Sequence, residues 1–318
     1  MNPKKICIIG GTGFVGSALV NRLSKNKHQI KVFSRHPQRN RHLKLLPGVT
    51  ISTIDYFAPK VLERHFDGID VVINLVGILN PKNKDTFNVV HVELSRRIAE
   101  AASAVKVKRL LHMSALNAGN QASRYLVSKG QGQQIAHQCP GVDVTIFCPS
   151  VIYGPNDHFF NLFANLLKLP GPFPVVGAKA RFAPVYVEDV VDAFVNSIDN
   201  VNTFGKSYSL CGPKEYSLLE LVNYTAKITN QKTSLIPLNW FFSKIMASLM
   251  SLVPGSPISL DNYRSMTIDS ICTSDKDKQS SENELAIRPV SLESILPLYL
   301  GDKEVNSYYN GLRAKANR

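Results

Sequence analysis

Tyr125 and Lys129 stand four residues apart, which places a phenol and an ammonium on one face of a helix if the stretch 123–137 is helical. A phenol ordinarily ionises near pH 10, too high for acid–base work at neutral pH. Each unit of depression needs only about 1.4 kcal/mol of preferential phenolate stabilisation, which a neighbouring ammonium supplies. The same spacing recurs at Tyr56/Lys60 and Tyr299/Lys303. Pro59 disfavours a helix at the first of these, and Gly301 with the terminal position weakens the second. Tyr125 alone follows an apolar strand ending near Ser114, whose hydroxyl is placed to polarise a carbonyl. The expected catalytic set is therefore Tyr125 as proton donor or acceptor, Lys129 lowering its pKa and holding a ribose, and Ser114 polarising substrate. The competing account is an ordinary surface pair on an amphipathic helix.

A second constellation lies at the start of the chain, in Gly10-Gly11-Thr12-Gly13-Phe14-Val15-Gly16. Glycines at 10, 13 and 16 supply in turn a tight turn, a close backbone approach to phosphate, and close packing of helix on strand. The amides of the helix that follows then face an anion. Such a run is weak evidence alone, but this one leaves an apolar strand, opens an amphipathic helix and precedes a second strand within about 30 residues. The second strand ends Phe33-Ser34-Arg35, with Arg39 and Arg41 nearby. Dinucleotide sites that favour NAD(H) usually place a carboxylate at that point. Arg35 offers planar donors to a 2′-phosphate instead, so NADP(H) is the expected cofactor. Asp55 can accept from an adenine amino group, or it is simply a loop carboxylate.

The elements that must position these groups alternate short β-branched runs with helical patterns, the signature of a doubly wound parallel α/β sheet. The strands read as Lys5–Ile9, Gln29–Ser34, Val49–Ile54, Asp70–Leu75, Arg109–Met113 and Asp143–Phe147. Runs such as Val71-Val72-Ile73 are apolar on both faces, as buried parallel strands are. Beyond Pro149 the chain turns to loops punctuated by proline and glycine, with helices expected at 185–197 and 217–229 and a strand at 207–211. Residues 1–150 are thus read as the dinucleotide-binding domain, with 183–211 returning to it, and the rest of 151–318 as a smaller substrate- or partner-binding part. The polar run Thr273–Glu284 reads as a solvated loop.

Composition narrows the partners. Lys and Arg number 37 against 24 Asp and Glu, a formal charge of +13, which suits an anionic ligand, a membrane surface or nucleic acid. The basic stretches 25–44 and 303–318 contain few aromatic residues for base stacking, so nucleic acid is ranked low. Cys7, Cys139, Cys148, Cys211 and Cys272 are odd in number, widely spaced and without a CxxC pair. Neither a metal site nor a disulfide framework is expected from them, and a cytoplasmic location fits. No signal peptide or membrane span is read from the sequence. The segment 238–253 gathers Phe241, Phe242, Ile245, Met246 and Leu249 on one helical side. A core-facing helix is the ordinary reading, and attachment to the cytoplasmic face of an inner membrane is the alternative.

Taken together these segments resemble the extended or atypical branch of the short-chain dehydrogenase/reductase superfamily. The resemblance rests on the glycine run at 10–16, Asn74-Leu75-Val76-Gly77, His112-Met113-Ser114-Ala115-Leu116, Tyr125 to Lys129, Pro149-Ser150-Val151-Ile152-Tyr153-Gly154 and Val185 to Val190. More narrowly, Ser123-Arg124-Tyr125-Leu126, with 149–157 and 182–189, is similar to the group containing the NADPH-binding accessory subunit of respiratory complex I and its bacterial relatives. The resemblance implies a Rossmann fold. It implies NAD(P) contacts at Gly10, Thr12, Gly13, Phe14, Val15, Gly16, Arg35, Asp55, Val76, Gly77, Tyr125, Lys129, Pro149, Ser150 and Val151.

One departure stands out: the family's double Ser/Thr after the fifth strand is here Met113-Ser114-Ala115, and Ser114 precedes Tyr125 by only eleven positions. The leading expectation is an NADP(H)-binding oxidoreductase moving hydride at a carbonyl or alcohol carbon of a small-molecule substrate. The alternatives are a non-catalytic, NADPH-stabilised accessory or assembly protein of a respiratory or quinone membrane complex, and a nucleotide-sugar epimerase or dehydratase.

Overall fold

Strand runs separated by helices assemble into a parallel sheet of seven strands, whose central runs, such as Val71-Val72-Ile73, are buried on both faces and need a helical layer on each side. The structure, a computed structural model, describes residues 2–34, 37–58, 60–81, 84–251, 260–272 and 275–301. The sheet strands are β1 (Lys5–Ile9), β2 (Gln29–Phe33), β3 (Val49–Ser52), β4 (Val71–Asn74), β5 (Arg109–Met113), β6 (Asp143–Pro149) and β7 (Lys206–Leu210). Their spatial order is β7-β6-β5-β4-β1-β2-β3. Ile8 of β1 lies in register with Val32 of β2 on one side and Ile73 of β4 on the other. The direction of winding therefore reverses between β1 and β4, and ligands of such sheets bind in the crevice at the carboxyl ends of those strands.

Alternation along β1 divides the core. Ile6 and Ile8 face one layer with Leu19, Val190 and Phe194, while Cys7 and Ile9 face the other with Ile98, Ala102 and Ile146. The first layer comes from α1 (Phe14–Lys25) and α6 (Val187–Ser197), the second from α2 (Val61–Phe66), α3 (Leu94–Ala104) and α4 (Arg124–His137). Arg22 of α1 forks between Glu188 and Asp192 of α6 and fixes the pair in register. A third apolar cluster, including Tyr153, Phe160, Leu221 and Leu296, joins α5 (Phe159–Leu166), α7 (Leu218–Ile228) and α11 (Leu292–Leu300) beyond the sheet.

The remaining helices are α8 (Trp240–Ser251), α9 (Leu260–Met266) and α10 (Asp275–Glu284). The last corrects the loop expected at 273–284. The run is rich in adequate helix formers, and its end is tied down where Lys206 Nζ and the Tyr208 hydroxyl donate to Glu284 at 2.7 and 2.6 Å. Helix α8 corrects a second expectation. Ser243 is buried, while Trp240 is 74% exposed and Phe241, Phe242 and Ile245 are exposed beside it, so this aromatic side faces away from the core. No helix among the described residues is long and apolar enough to cross a membrane.

A third correction concerns the cysteines. Cys211, one residue past β7, is disulfide-bonded to Cys272 across a sequence separation of 61. Spacing along the chain carries no sign of it. The pairing follows from the return of 269–272 along Phe182, through a bridge at Ser270.

Candidate dinucleotide site

The glycine loop takes the form its residue types require. Gly10 leaves β1 with φ +84°, in the left-handed region. A Cβ on Gly10 would meet the backbone of Leu75 and Val76 at 3.1 Å, so the loops after β1 and β4 are pressed together. At Gly16 a Cβ would lie 2.3 Å from the Gly10 carbonyl oxygen and 2.6 Å from the Gly11 Cα. Gly13 is the N-cap of α1, with no side chain capping the helix and no acidic residue in its first turn. Its amides are thus available to an anion. Thr12 and Phe14 are partly exposed, Gly13 is exposed and Val15 packs into the core.

At the end of β4, Asn74 organises the neighbouring edge. Its Oδ1 accepts from the Val76 amide at 3.1 Å, and its Nδ2 meets Nδ1 of the buried His112 at 3.2 Å. Gly77 follows, exposed, at a point where a Cβ would sit 3.8 Å from Lys129 Nζ. Asp55 is exposed beyond β3, and its Oδ1 accepts from the Phe57 amide at 3.0 Å. Arg35 lies outside the described residues.

Helix α4 begins at Ser123, whose Oγ caps the Leu126 amide at 3.1 Å. A carboxylate from α9 completes that cap: Asp261 accepts from the amides of Arg124 and Tyr125 at 2.9 and 3.1 Å. One turn apart on this helix, Lys129 comes close to Gly77 and Tyr125 packs its ring against Phe87 and His91. Their coupling differs from the sequence expectation. Burial pushes the Tyr125 phenol up to about 12, and Lys129 Nζ donates to the Met113 carbonyl at 2.7 Å. Burial likewise pulls the Lys129 ammonium down to about 8, opposed by its proximity to Cys148. Desolvation dominates both groups, so the phenol is not depressed by its neighbour. Ser114 is buried, and its Oγ donates to Gln133 Oε1, two turns beyond Tyr125, at 2.6 Å.

Below about pH 8 the folded and unfolded chains both carry the Lys129 charge, and the folded chain bears the cost of burying it. Between about 8 and the ordinary 10.5, only the unfolded chain keeps the proton, so stability rises with pH through that window. Lys129→Met is expected to raise stability by about 1 kcal/mol at pH 7 and to remove the rise. Urea unfolding of both proteins from pH 7 to 10 measures it; an unchanged pH slope in the variant would refute the assignment.

The turn after β6 closes the site. The Pro149 carbonyl accepts from the Leu116 amide at 3.1 Å, and the Val151 carbonyl from the Val185 amide at 2.9 Å. Ser150 Oγ donates to the Ser270 carbonyl at 2.7 Å. Asn117 Nδ2 reaches the Asp269 carbonyl at 2.9 Å, and Asn262 Nδ2 reaches Asn80 Oδ1 at 3.0 Å. Residues 261–272 thus form a strap from the β4 edge, over the start of α4, to the Pro149–Val151 turn. Asn74, Gln133 and Asp261 shape this site without having been singled out from sequence. Asn74 alone had a signal, as the first residue of the 74–77 segment.

Residues 6–211 match the NAD dependent epimerase/dehydratase family. The chain belongs to this family. Within and around the epimerase/dehydratase likeness, it is 30% identical to the mitochondrial NADH dehydrogenase [ubiquinone] 1 alpha subcomplex subunit 9 of Mus musculus, over 90% of this chain and 77% of that protein. It is also 30% identical to the ceramide reductase of Caulobacter vibrioides, over 60% of this chain and 59% of that one. The epimerase/dehydratase fold itself is matched by the UDP-glucuronic acid 4-epimerase of Bacillus cereus, solved with UDP-glucuronic acid and NAD. That structure has a TM-score of 0.74 at 19% identity and covers 93% of this chain and 98% of its own.

Proposed function

We propose that this protein holds NADP(H) in the crevice between β1 and β4 and serves as a dinucleotide-stabilised accessory component at a respiratory or quinone-handling membrane complex. The fit to the cofactor rests on Gly10, Gly13 and Gly16: a left-handed turn, an uncapped helix start and a contact that excludes any side chain. Thr12, Phe14 and Val15 complete that loop. Val76, Gly77, Tyr125, Lys129 and the Pro149-Ser150-Val151 turn would hold the nicotinamide half. Asp55 and Arg35 would serve the adenosine half, Arg35 selecting the 2′-phosphate.

The observation that carries the accessory reading is the engagement of Ser114. Its hydrogen is donated to Gln133 within the protein, not offered to a substrate carbonyl, and burial moves the Tyr125 phenol further from neutral pH, away from the value suited to acid–base exchange. The exposed aromatic edge of α8 and the likeness to mitochondrial NADH dehydrogenase subunits support a membrane-bound partner. The test is to identify the dinucleotide released from purified protein and to follow the native protein through membrane fractionation. NADP(H) in near-stoichiometric amount and membrane recovery lost on replacing Trp240 and Phe241 with serine are expected. NAD(H) as the bound species, or wholly membrane-free recovery, would overturn the reading.

A second reading is hydride transfer at a carbonyl or alcohol carbon. It is favoured by Lys129 close to Gly77 with Tyr125 one turn before it on the same helix, and by the likeness to a ceramide reductase. The dinucleotide would supply the hydride when bound. Lys129 would hold its ribose and Tyr125 would give up or take the proton. Substrate-dependent NADPH oxidation, lost in Tyr125→Phe, is the result this reading requires.

A further inference from the structure

Between β4 and α3 the chain passes through a π-helical stretch, Asn88–Glu93, a rare geometry that recurs at functional sites. Its centre is His91, buried at 3% exposure. Both ring nitrogens are engaged. The Ile78 amide donates to Nε2 at 3.0 Å, which requires a lone pair there. Nδ1 lies 2.8 Å from Ser128 Oγ, and that hydroxyl donates its own hydrogen to the Tyr125 carbonyl at 2.8 Å. Nδ1 must therefore carry the proton, and two independent bonds assign one neutral tautomer.

The ring is also held on its faces. It stacks on Phe87 with centroids 5.6 Å apart, and it meets Tyr125 edge to face at 5.6 Å. The backbone is fixed as well: Ser95 Oγ donates to the His91 carbonyl at 2.7 Å, and a Cβ on Gly132 of α4 would come within 2.2 Å of that oxygen. At Gly77 the nearest neighbours of an added Cβ would be His91 Nε2 at 3.7 Å and Lys129 Nζ at 3.8 Å. One imidazole thus ties the backbone after β4 to the helix that carries Tyr125 and Lys129.

We propose that His91 is the positioning residue of the nicotinamide half-site: as the neutral Nδ1–H tautomer it clamps the 76–78 backbone to α4 and sets the gap between Gly77 and the Tyr125/Lys129 pair. The inference rests on the dinucleotide reading above and goes beyond it by naming what holds the two walls of the site apart. Burial, reinforced by the nearby Lys129 charge, pulls the His91 imidazole down to about 3. The groups facing it are Lys129, Tyr125 and Ser128 from α4, His112 from β5, Phe87 just before its own stretch, Ser95 from α3, and the Ile78 amide. The clamp therefore keeps one protonation state throughout the neutral range.

The test uses the full chain and two probes, NADPH and 2′,5′-ADP, the latter representing the adenosine half alone. His91→Phe keeps a ring and removes both hydrogen bonds; Ser128→Ala removes the Nδ1 acceptor, and with it the bond to the Tyr125 carbonyl, at little change in volume; His91→Gln restores an acceptor and a donor. Calorimetric titration is expected to show NADPH affinity reduced at least tenfold in His91→Phe, reduced less in Ser128→Ala and largely recovered in His91→Gln. Binding of 2′,5′-ADP should stay within twofold throughout. Nitrogen-15 spectra of the wild type should place the proton on Nδ1 from pH 5 to 8. Equal losses for both probes, no loss for NADPH in Ser128→Ala where His91→Phe does not fold, or an Nε2–H or cationic ring would overturn the clamp. Wild-type protein that bound neither probe would overturn the dinucleotide reading itself, and the clamp's role with it.

Discussion

Gly16→Ala is expected to unfold the loop that defines the site, lowering stability by about 3 kcal/mol and reducing NADPH binding at least 100-fold. The added methyl would lie 2.3 Å from the Gly10 carbonyl oxygen and within 2.7 Å of the Gly11 backbone. These are backbone atoms, so no side chain can rotate aside, and α1 must move off the sheet. The companion variant Gly13→Ala separates the two roles of the loop. At Gly13 the nearest neighbour of a new Cβ is the Gly10 oxygen at 3.4 Å, an ordinary contact. The folded protein should survive with stability changed by about 0.5 kcal/mol, while the methyl stands where a phosphate must approach and NADPH binding weakens at least tenfold. Thermal unfolding and fluorescence titration of the two variants decide it. Equal stability in both would show that helix α1 is free to shift, and unaltered binding in both would remove the phosphate site from this loop.

Cys272→Ser is expected to lower stability by about 4 kcal/mol, through the chain entropy released when a link across a separation of 61 residues is cut. The effect should not stop at the global value. Cys272 ends the strap that carries Asp261 onto the Arg124 and Tyr125 amides, so those two amides should exchange with solvent faster in the variant. Amides in the centre of β1 should change only by the global difference. Urea unfolding with hydrogen exchange measures both quantities. A treatment with dithiothreitol that lowers the stability of wild type but not of Cys272→Ser would trace the loss to this bond. If the reagent leaves wild type unchanged, the link contributes nothing in solution.

The sheet and the phosphate loop were legible for a local reason. A strand buried on both faces writes a continuous apolar run, and a turn with no room for a Cβ writes glycine, so β1 and Gly10, Gly13 and Gly16 carry their geometry in their own residue types. Ser123 is legible in the same way, as a hydroxyl directly before a helix. What was not legible depends on distant neighbours. Ser114 is a serine in either orientation, and only the packing of α4 turns it to Gln133. The pKa of Tyr125 is set by removal from water, which the four-residue spacing to Lys129 does not encode. Periodicity in α8 gathers the aromatic residues on one side but does not say what that side faces. Cys211 and Cys272 come together through a strap whose path is decided at Phe182 and Ser270. His91 stood in a helical run with nothing in its immediate neighbours to mark it.

The bare start of α1 acquires a sharper meaning beside the other helices. At α4 the first amides are taken by Ser123 and Asp261, at α5 by Asp157, and at α7 by the reciprocal pair Ser217 and Glu220; α6 carries Glu188 and Asp189 in its first turn. Each of those ends is already neutralised by oxygen or repels a second anion. Among these five helix starts, that of α1 is the one left open to an anion. A dinucleotide approaching the loop would find its pyrophosphate drawn to α1 and not to the occupied helix starts, a bias that added salt would weaken.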